Sequence, residues 1–407
     1  MVWENNSIIV LSAYIIVAMI SVYFIYKLTK DRTQKISNLR LFIQIAALIA
    51  IFMGLLIGPF NTPRYRPLGI SPRDRLIGSD FFGNQFPDGL SIPVLACYYP
   101  NGRTLTCPLW QIQAYIFPFW DTGIGYDVFY STSGLEKLAI VFALVIGLSI
   151  ILGKIFCGWL CPFGLYEDLI TRTRKAFRIK HYNLSKKTNN ILGQFRFIII
   201  AILLILSFIF GSYALIGTEL IPGTIPGGPL GTEAGIVSII NEPFCLVCPM
   251  RPLSILAEVV IGQLNYSYIS QIMYGPLNIA GFYLTSINIT ILILITALSF
   301  TYRRFWCRIC PLGALIDIFS TSKPFNKIAL TRLEKEEVKC SRCGICQRVC
   351  PTQVTDVFQR KGGDVTNSGC MLCFRCIEMC PEKDALKLKF AGKTLYKSSN
   401  WLKPKKD

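Results

Sequence analysis

Long apolar runs alternate along the chain with short stretches in which the charged residues collect. A hydrocarbon layer of ~30 Å needs roughly 17 to 25 helical residues, and runs of that size lie at about Ser7 to Tyr26, Leu41 to Phe60, Gly134 to Phe156, Ile191 to Tyr213 and Leu277 to Thr301. The pattern predicts five membrane-spanning helices. Ser133, three residues before Glu136, makes a capping-box signature ahead of the third run. A further apolar stretch, Leu253 to Gly262, is too short to span and predicts a re-entrant or interfacial helix.

The polar segments differ in charge, and the difference orients the chain. Only Glu4 precedes the first run, whereas Lys27, Lys30, Arg32, Lys35 and Arg40 follow it. That order predicts a retained span with its N-terminus outside, rather than a cleaved signal peptide. Thr171 to Asn190 carries seven basic and no acidic residues, and it falls on the same side as the first basic loop, together with everything after Arg303. On the opposite side lie a loop from Asn61 to Ser133, with five residues of each sign, and one from Ala214 to Gly275, where Arg251 faces Glu219, Glu233, Glu242 and Glu258. The positive-inside rule then predicts a multi-pass protein of the cell (inner) membrane with its C-terminal region in the cytoplasm.

Composition agrees with a membrane chain: 52% of residues are hydrophobic and 16% charged, with a net charge of +18. One histidine, His181, and no C-x-x-C-H exclude bis-histidine and c-type haem, and with them histidine-based zinc or copper catalysis. The cysteines number sixteen. Eight of them form two C-x2-C-x2-C-x3-C-P runs, CSRCGICQRVCP from Cys340 and CMLCFRCIEMCP from Cys370. In bacterial two-cluster ferredoxins the fourth cysteine of each run serves the other cluster. The spacing therefore assigns Cys340, Cys343, Cys346 and Cys380 to one [4Fe-4S] cluster, and Cys370, Cys373, Cys376 and Cys350 to a second. Zinc ribbons use two C-x-x-C pairs rather than two quartets, and disulfides do not persist in a reducing cytoplasm.

Six cysteines precede a proline, at 107, 161, 248, 310, 350 and 380, where 22 prolines in 407 residues predict about one by chance. A proline after a ligand fixes φ and removes a donor, so the chain turns away from the metal in a set direction. FCGWLCPFGLYEDLI from Phe156 and FWCRICPLGALIDIF from Phe305 form an internal repeat, with Asp168 and Asp317 each seven residues past the second cysteine. Both follow a span running inward. Cys157, Cys161, Cys307 and Cys310 thus reach one depth near the cytoplasmic face and suit a further iron-sulfur cluster. Cys97, Cys107, Cys245 and Cys248 fall on the outer side, where two readings stand: an outer cluster, which the Cys-Pro pairs favour, or disulfides joining Cys97 to Cys107 and Cys245 to Cys248, which an oxidising compartment favours.

The chain divides accordingly. Residues 1–60 hold two spans and a basic inner loop, 61–133 the outer loop with Cys97 and Cys107, and 134–213 two spans with the CGWLCP motif. Residues 214–276 hold the outer loop and re-entrant segment with Cys245 and Cys248, and 277–335 the last span with the CRICP motif. A small α+β dicluster ferredoxin domain occupies 336–390 and a basic tail 391–407. The fold class expected is a mainly α integral membrane protein carrying that domain.

CGWLCPFG, CRICPLGAL and a C-terminal dicluster ferredoxin behind several spans resemble the NapH/NosR family of membrane iron-sulfur proteins, over about Leu138 to Leu388. The resemblance implies an electron-transfer component of a quinol dehydrogenase or oxidoreductase complex, with the quinone pool or a cytoplasmic donor on one side and a partner redox protein on the other. No counterpart of the flavin-binding domain of the NosR branch is found. A redox maturation factor, reducing a metal or disulfide of an exported metalloenzyme, is the alternative. No segment points to nucleic acid. With no histidine in a span, Glu258, Glu167 and Asp168 are the candidate proton carriers for quinol chemistry. Lys393, Lys397, Lys403, Lys405 and Lys406 offer charge to an acidic donor or to anionic lipid.

Overall fold

A computed structural model describes residues 35–52, 94–95, 107–109, 112–113, 132–220, 243–261, 278–322 and 325–399. The first apolar run and Cys97 lie outside them. The described chain is mostly helical. Its long helices are α1 (Lys35–Phe52), α2 (Thr132–Leu152), α4 (Lys186–Leu220) and α7 (Asn278–Thr301), and between them come α3 (Pro162–Ala176), α5 (Pro243–Val247) and α6 (Met250–Ile261). Helix α2 begins one residue before Ser133, so the predicted cap lies inside it. The 12-residue α6 covers the short apolar stretch.

Among the described residues one stretch, Lys186–Ile209 in α4, is long and apolar enough to cross a membrane; Leu138–Leu152, Ser286–Thr301 and Pro311–Ser320 are apolar but shorter. Along α4, Ile191, Phe195, Ile198, Ile202, Ile205 and Ile209 recur at helical spacing, and all are about half exposed. An apolar stripe of that length has no place facing water.

The chain forms two compact units. In the first, which holds residues 146–196 and everything from Leu298, the two motif repeats have nearly the same backbone. After α2 the chain leaves the helix through Gly153, at φ +56°, and makes one π-helical turn, Phe156–Leu160. Cys161 then stands extended at φ −66°, ψ 120°, with Pro162 opening α3. After α7, Arg304 takes φ +49°, the short α8 (Trp306–Ile309) follows, and Cys310 stands at φ −62°, ψ 120° with Pro311 opening α9 (Pro311–Ser320). The prolines explain the match: their rings push the preceding cysteine out of the helical region, and a missing N–H costs nothing at a first helical position. The first repeat has one more residue between its cysteines. The π turn absorbs it, closed by Cys161 N–H donating to Phe156 O at 2.9 Å.

The unit continues into an antiparallel sheet of order β2-β1-β3-β4, made of β1 (Thr331–Lys335), β2 (Gly363–Asp364), β3 (Leu386–Phe390) and β4 (Lys393–Lys397). Short helices α10 (Ile345–Val349), α11 (Asp356–Gln359) and α12 (Arg375–Glu378) lie between β1 and β3. Leu333, Val354, Val357, Val365, Ile377, Leu386 and Leu388 form the core. The sheet corrects the expected boundaries of 336–390: β1 precedes that range and β4 lies in the supposed tail. Thr331-Arg-Leu-Glu-Lys335 buries alternate residues, one of them Lys335, whose Nζ donates to Phe358 O and Arg360 O. A buried lysine hides the strand from a hydrophobic pattern.

In the second unit, Cys107, Cys245 and Cys248 are buried thiols. Gln113 joins their two segments: its amide donates to Leu109 O at 2.8 Å and accepts from Phe244 N–H at 3.1 Å.

Candidate metal centres

Two cavities of the C-terminal domain divide the eight ferredoxin-type cysteines. One is lined by Cys340, Cys343, Cys346 and Cys380; the other by Cys350, Cys370, Cys373 and Cys376, with Cys346 on the wall between. Left-handed residues flank the middle cysteine of each run, Arg342 and Gly344 around Cys343, Leu372 and Phe374 around Cys373. Two such turns in succession coil the run so that three cysteines face one cavity, and the three that are not glycine adopt a conformation that costs roughly 1–2 kcal/mol each.

Burial raises the Cys370 thiol to about 12, with Cys350 and Cys373 adding to the effect, and raises Cys346 to about 11. Four thiolates in such a place need a cation among them, and a cubane of iron supplies it. Among the described residues no three Cys, His, Asp or Glu side chains converge on a single metal ion. A cubane asks each thiolate to hold a different iron.

Ion pairs run crosswise between the two repeats that carry the four inner cysteines. Asp168, of the first repeat, accepts from Arg304 Nε at 3.0 Å and from Arg304 Nη2, and Arg304 lies three residues before Cys307 of the second. Asp317, of the second repeat, pairs with Lys154, which lies three residues before Cys157 of the first. Each aspartate takes a second cation, Arg40 on Asp168 at 2.8 Å and Arg196 on Asp317 at 2.6 Å. Gln44 completes the Asp168 site at 3.2 Å. Against burial, which acts the other way, Arg304 and Arg40 hold the Asp168 carboxyl below its usual range. Asp168 is therefore part of a clasp between the repeats.

Within the clasp Cys310 stands in the field of Cys157 and Cys161, and Cys307 in that of Cys161. Fully buried Glu167 accepts from the Cys307 thiol at 2.9 Å, from Trp306 N–H at 2.8 Å and from Ser299 Oγ at 3.0 Å. The repeat makes Asp168, Asp317 and Glu167 visible in the sequence, whereas the pairing of cations with them is not. Alignment of the repeats on their first cysteines carries the signal for Lys154 and Arg304. Arg196 was visible as a lone charge inside an apolar run.

Comparison with known proteins now bears on the class. A model of a 4Fe-4S binding domain matches twice, at residues 138–180 and 287–327, and a 4Fe-4S dicluster domain matches residues 332–381. The first model falls once on each motif repeat. An uncharacterized protein of Methanocaldococcus jannaschii is 28% identical over 272 residues, covering 66% of this chain and 85% of its own. The Escherichia coli protein YccM, whose name ties it to electron transport, is 22% identical over 67% of this chain and 62% of its own. The ferredoxin-type protein NapH of Escherichia coli is 22% identical over 56% of this chain and 60% of its own. No solved structure matches. Fold, cysteines and matches define an iron-sulfur electron-transport protein with ferredoxin-type 4Fe-4S domains. Within that class the chain is similar to proteins of the NapH/NosR type.

Proposed function

We propose that the chain relays single electrons between a quinol or cytoplasmic donor and a partner redox protein, through metal sites arranged in series in a multi-pass membrane protein. The observation that carries this reading is the crosswise clasp, which ties two distant cysteine motifs to each other beside a domain with two cysteine-lined cavities. When bound, a [4Fe-4S] cluster accepts and releases one electron at a time.

In this reading Cys340, Cys343, Cys346 and Cys380 hold one cluster and Cys350, Cys370, Cys373 and Cys376 a second. Cys157, Cys161, Cys307 and Cys310 hold a third near the cytoplasmic face, where Arg304, 3.8 Å from the Cys307 sulfur, offsets thiolate charge. Cys107, Cys245 and Cys248, with Cys97, make a fourth site on the outer face, and the Gln113 bridge supports the approach of the Cys107 segment to that of Cys245. Five spans, with the N-terminus outside and the C-terminal domain inside, follow from the charge of the loops, and the exposed apolar stripe of α4 supports a lipid contact.

Iron and acid-labile sulfide per chain test the reading. Two, three and four cubanes give about 8, 12 and 16 iron atoms. Sixteen are expected from purified protein, together with sustained reduction of a quinone analogue; a total of eight with no quinone turnover would leave only a tethered ferredoxin.

A further inference from the structure

One residue from between the paired cysteines of each repeat reaches out of the inner site, and both meet the C-terminal domain at its second cavity. Trp159, from CGWLC, donates its indole N–H to Leu372 O at 2.9 Å, and its ring centre lies 5.4 Å from that of Phe374. Leu372 and Phe374 are the two neighbours of Cys373. Arg308, from CRIC, donates to Pro351 O at 3.3 Å, one residue past Cys350, and is held in place by Asn189 and by Arg303 O. Beside Trp159 the backbones all but touch: a Cβ on Gly158 would strike Met371 O and lie 3.7 Å from the Cys373 Cα. Lys154 and Arg196, the cations of Asp317, both donate to Ser368 O, two residues before Cys370. The first cavity is different. Cys343 on its wall is exposed, and Arg342 on its rim has a side chain 58% exposed.

We infer that electrons pass between the inner four-cysteine site and the C-terminal domain through the Cys350, Cys370, Cys373 and Cys376 set, with Trp159 and Arg308 as the positioning residues that fix the separation. The Cys340, Cys343, Cys346 and Cys380 set, which reaches the surface at Cys343, exchanges electrons with a soluble partner. The inference rests on the reading that these cysteines hold clusters. One electron moves in each step; the site that releases it is oxidised by one, the site that receives it is reduced by one, and no atom changes place. The seam explains its own chemistry. Trp159 of the first repeat holds the Leu372 carbonyl beside Cys373 and Arg308 of the second holds the Pro351 carbonyl beside Cys350, so each repeat is tied to a different ligand segment of the same set.

The test uses the full chain in detergent, reduced with dithionite and examined by electron paramagnetic resonance for the magnetic interaction between the inner cluster and its neighbour. Cys373→Ser is expected to abolish that interaction and Cys343→Ser to leave it intact. Trp159→Ala and Arg308→Ala are expected to weaken it with iron content unchanged, and Trp159→Phe and Arg308→Lys to restore most of it. Full iron loading with the interaction lost in Cys343→Ser and kept in Cys373→Ser would overturn the order of the relay. So would an interaction unchanged in both alanine variants. A chain with no iron at the inner cysteines would instead overturn the reading beneath it, and the iron assay separates the two failures.

Discussion

Lys154 and Arg304 occupy corresponding places in the two repeats, and each neutralises a carboxylate belonging to the other. Removing one partner from a buried pair leaves an uncompensated charge, which costs about 3–5 kcal/mol. Asp317→Asn strands two cations at once, since Lys154 and Arg196 have side chains 5% and 2% exposed. A loss of that size is expected in the denaturation midpoint of the detergent-solubilised protein, and an unshifted midpoint would remove the clasp from the architecture. Gly158→Ala probes the seam, because its new methyl would meet the Met371 carbonyl. Protease resistance of the C-terminal domain is expected to fall in that variant and to stay unchanged in Gly147→Ala, where an added Cβ meets nothing within 4 Å. Equal resistance in the two variants would show that the close approach does not hold the domain.

At the scale of elements, the two cysteine runs exchange their last members. Cys350 lines the cavity of the second run and Cys380 that of the first. Cys350→Ser is therefore expected to erase the spectroscopic signature of the cluster held by Cys370, Cys373 and Cys376; loss of the other signature alone would contradict the exchange. The quartets and the Cys-Pro turns were legible in the sequence because a ligand tolerates few residue types and a fixed spacing. Other elements were not. β1 carries Arg332, Glu334 and Lys335 and β4 a lysine at each end, and both look like solvated linker until Lys335 is seen capped by two carbonyls. The π turn was hidden too, since an extra residue between CGWLC cysteines reads as a looser motif rather than as a wider helical turn. The cations of the clasp needed the fold, because nothing local says that a charge in one repeat serves a carboxylate roughly 150 positions away in the other.

The whole molecule is expected to be oriented by its basic loops, so reporters fused near residues 180 and 400 should both respond as cytoplasmic; an outer response from either would reverse the assignment. Alkylation under denaturing, non-reducing conditions tests the outer cysteines. Cys107, Cys245 and Cys248 are expected to label, with iron per chain falling by about four when all four outer cysteines are replaced; a Cys245 to Cys248 bridge and unchanged iron would make the outer site structural. The crosswise clasp also bears on ancestry. In a two-fold homodimer, residue i of one subunit meets j of the other and j meets i, and that is the pattern Asp168 with Arg304 and Lys154 with Asp317 draw inside a single chain. A chain with one repeat would need a second copy of itself to assemble four thiols. Joined in one chain, the halves need not be identical: the first has one more residue between its cysteines and a glutamate beside its aspartate, and the second has neither.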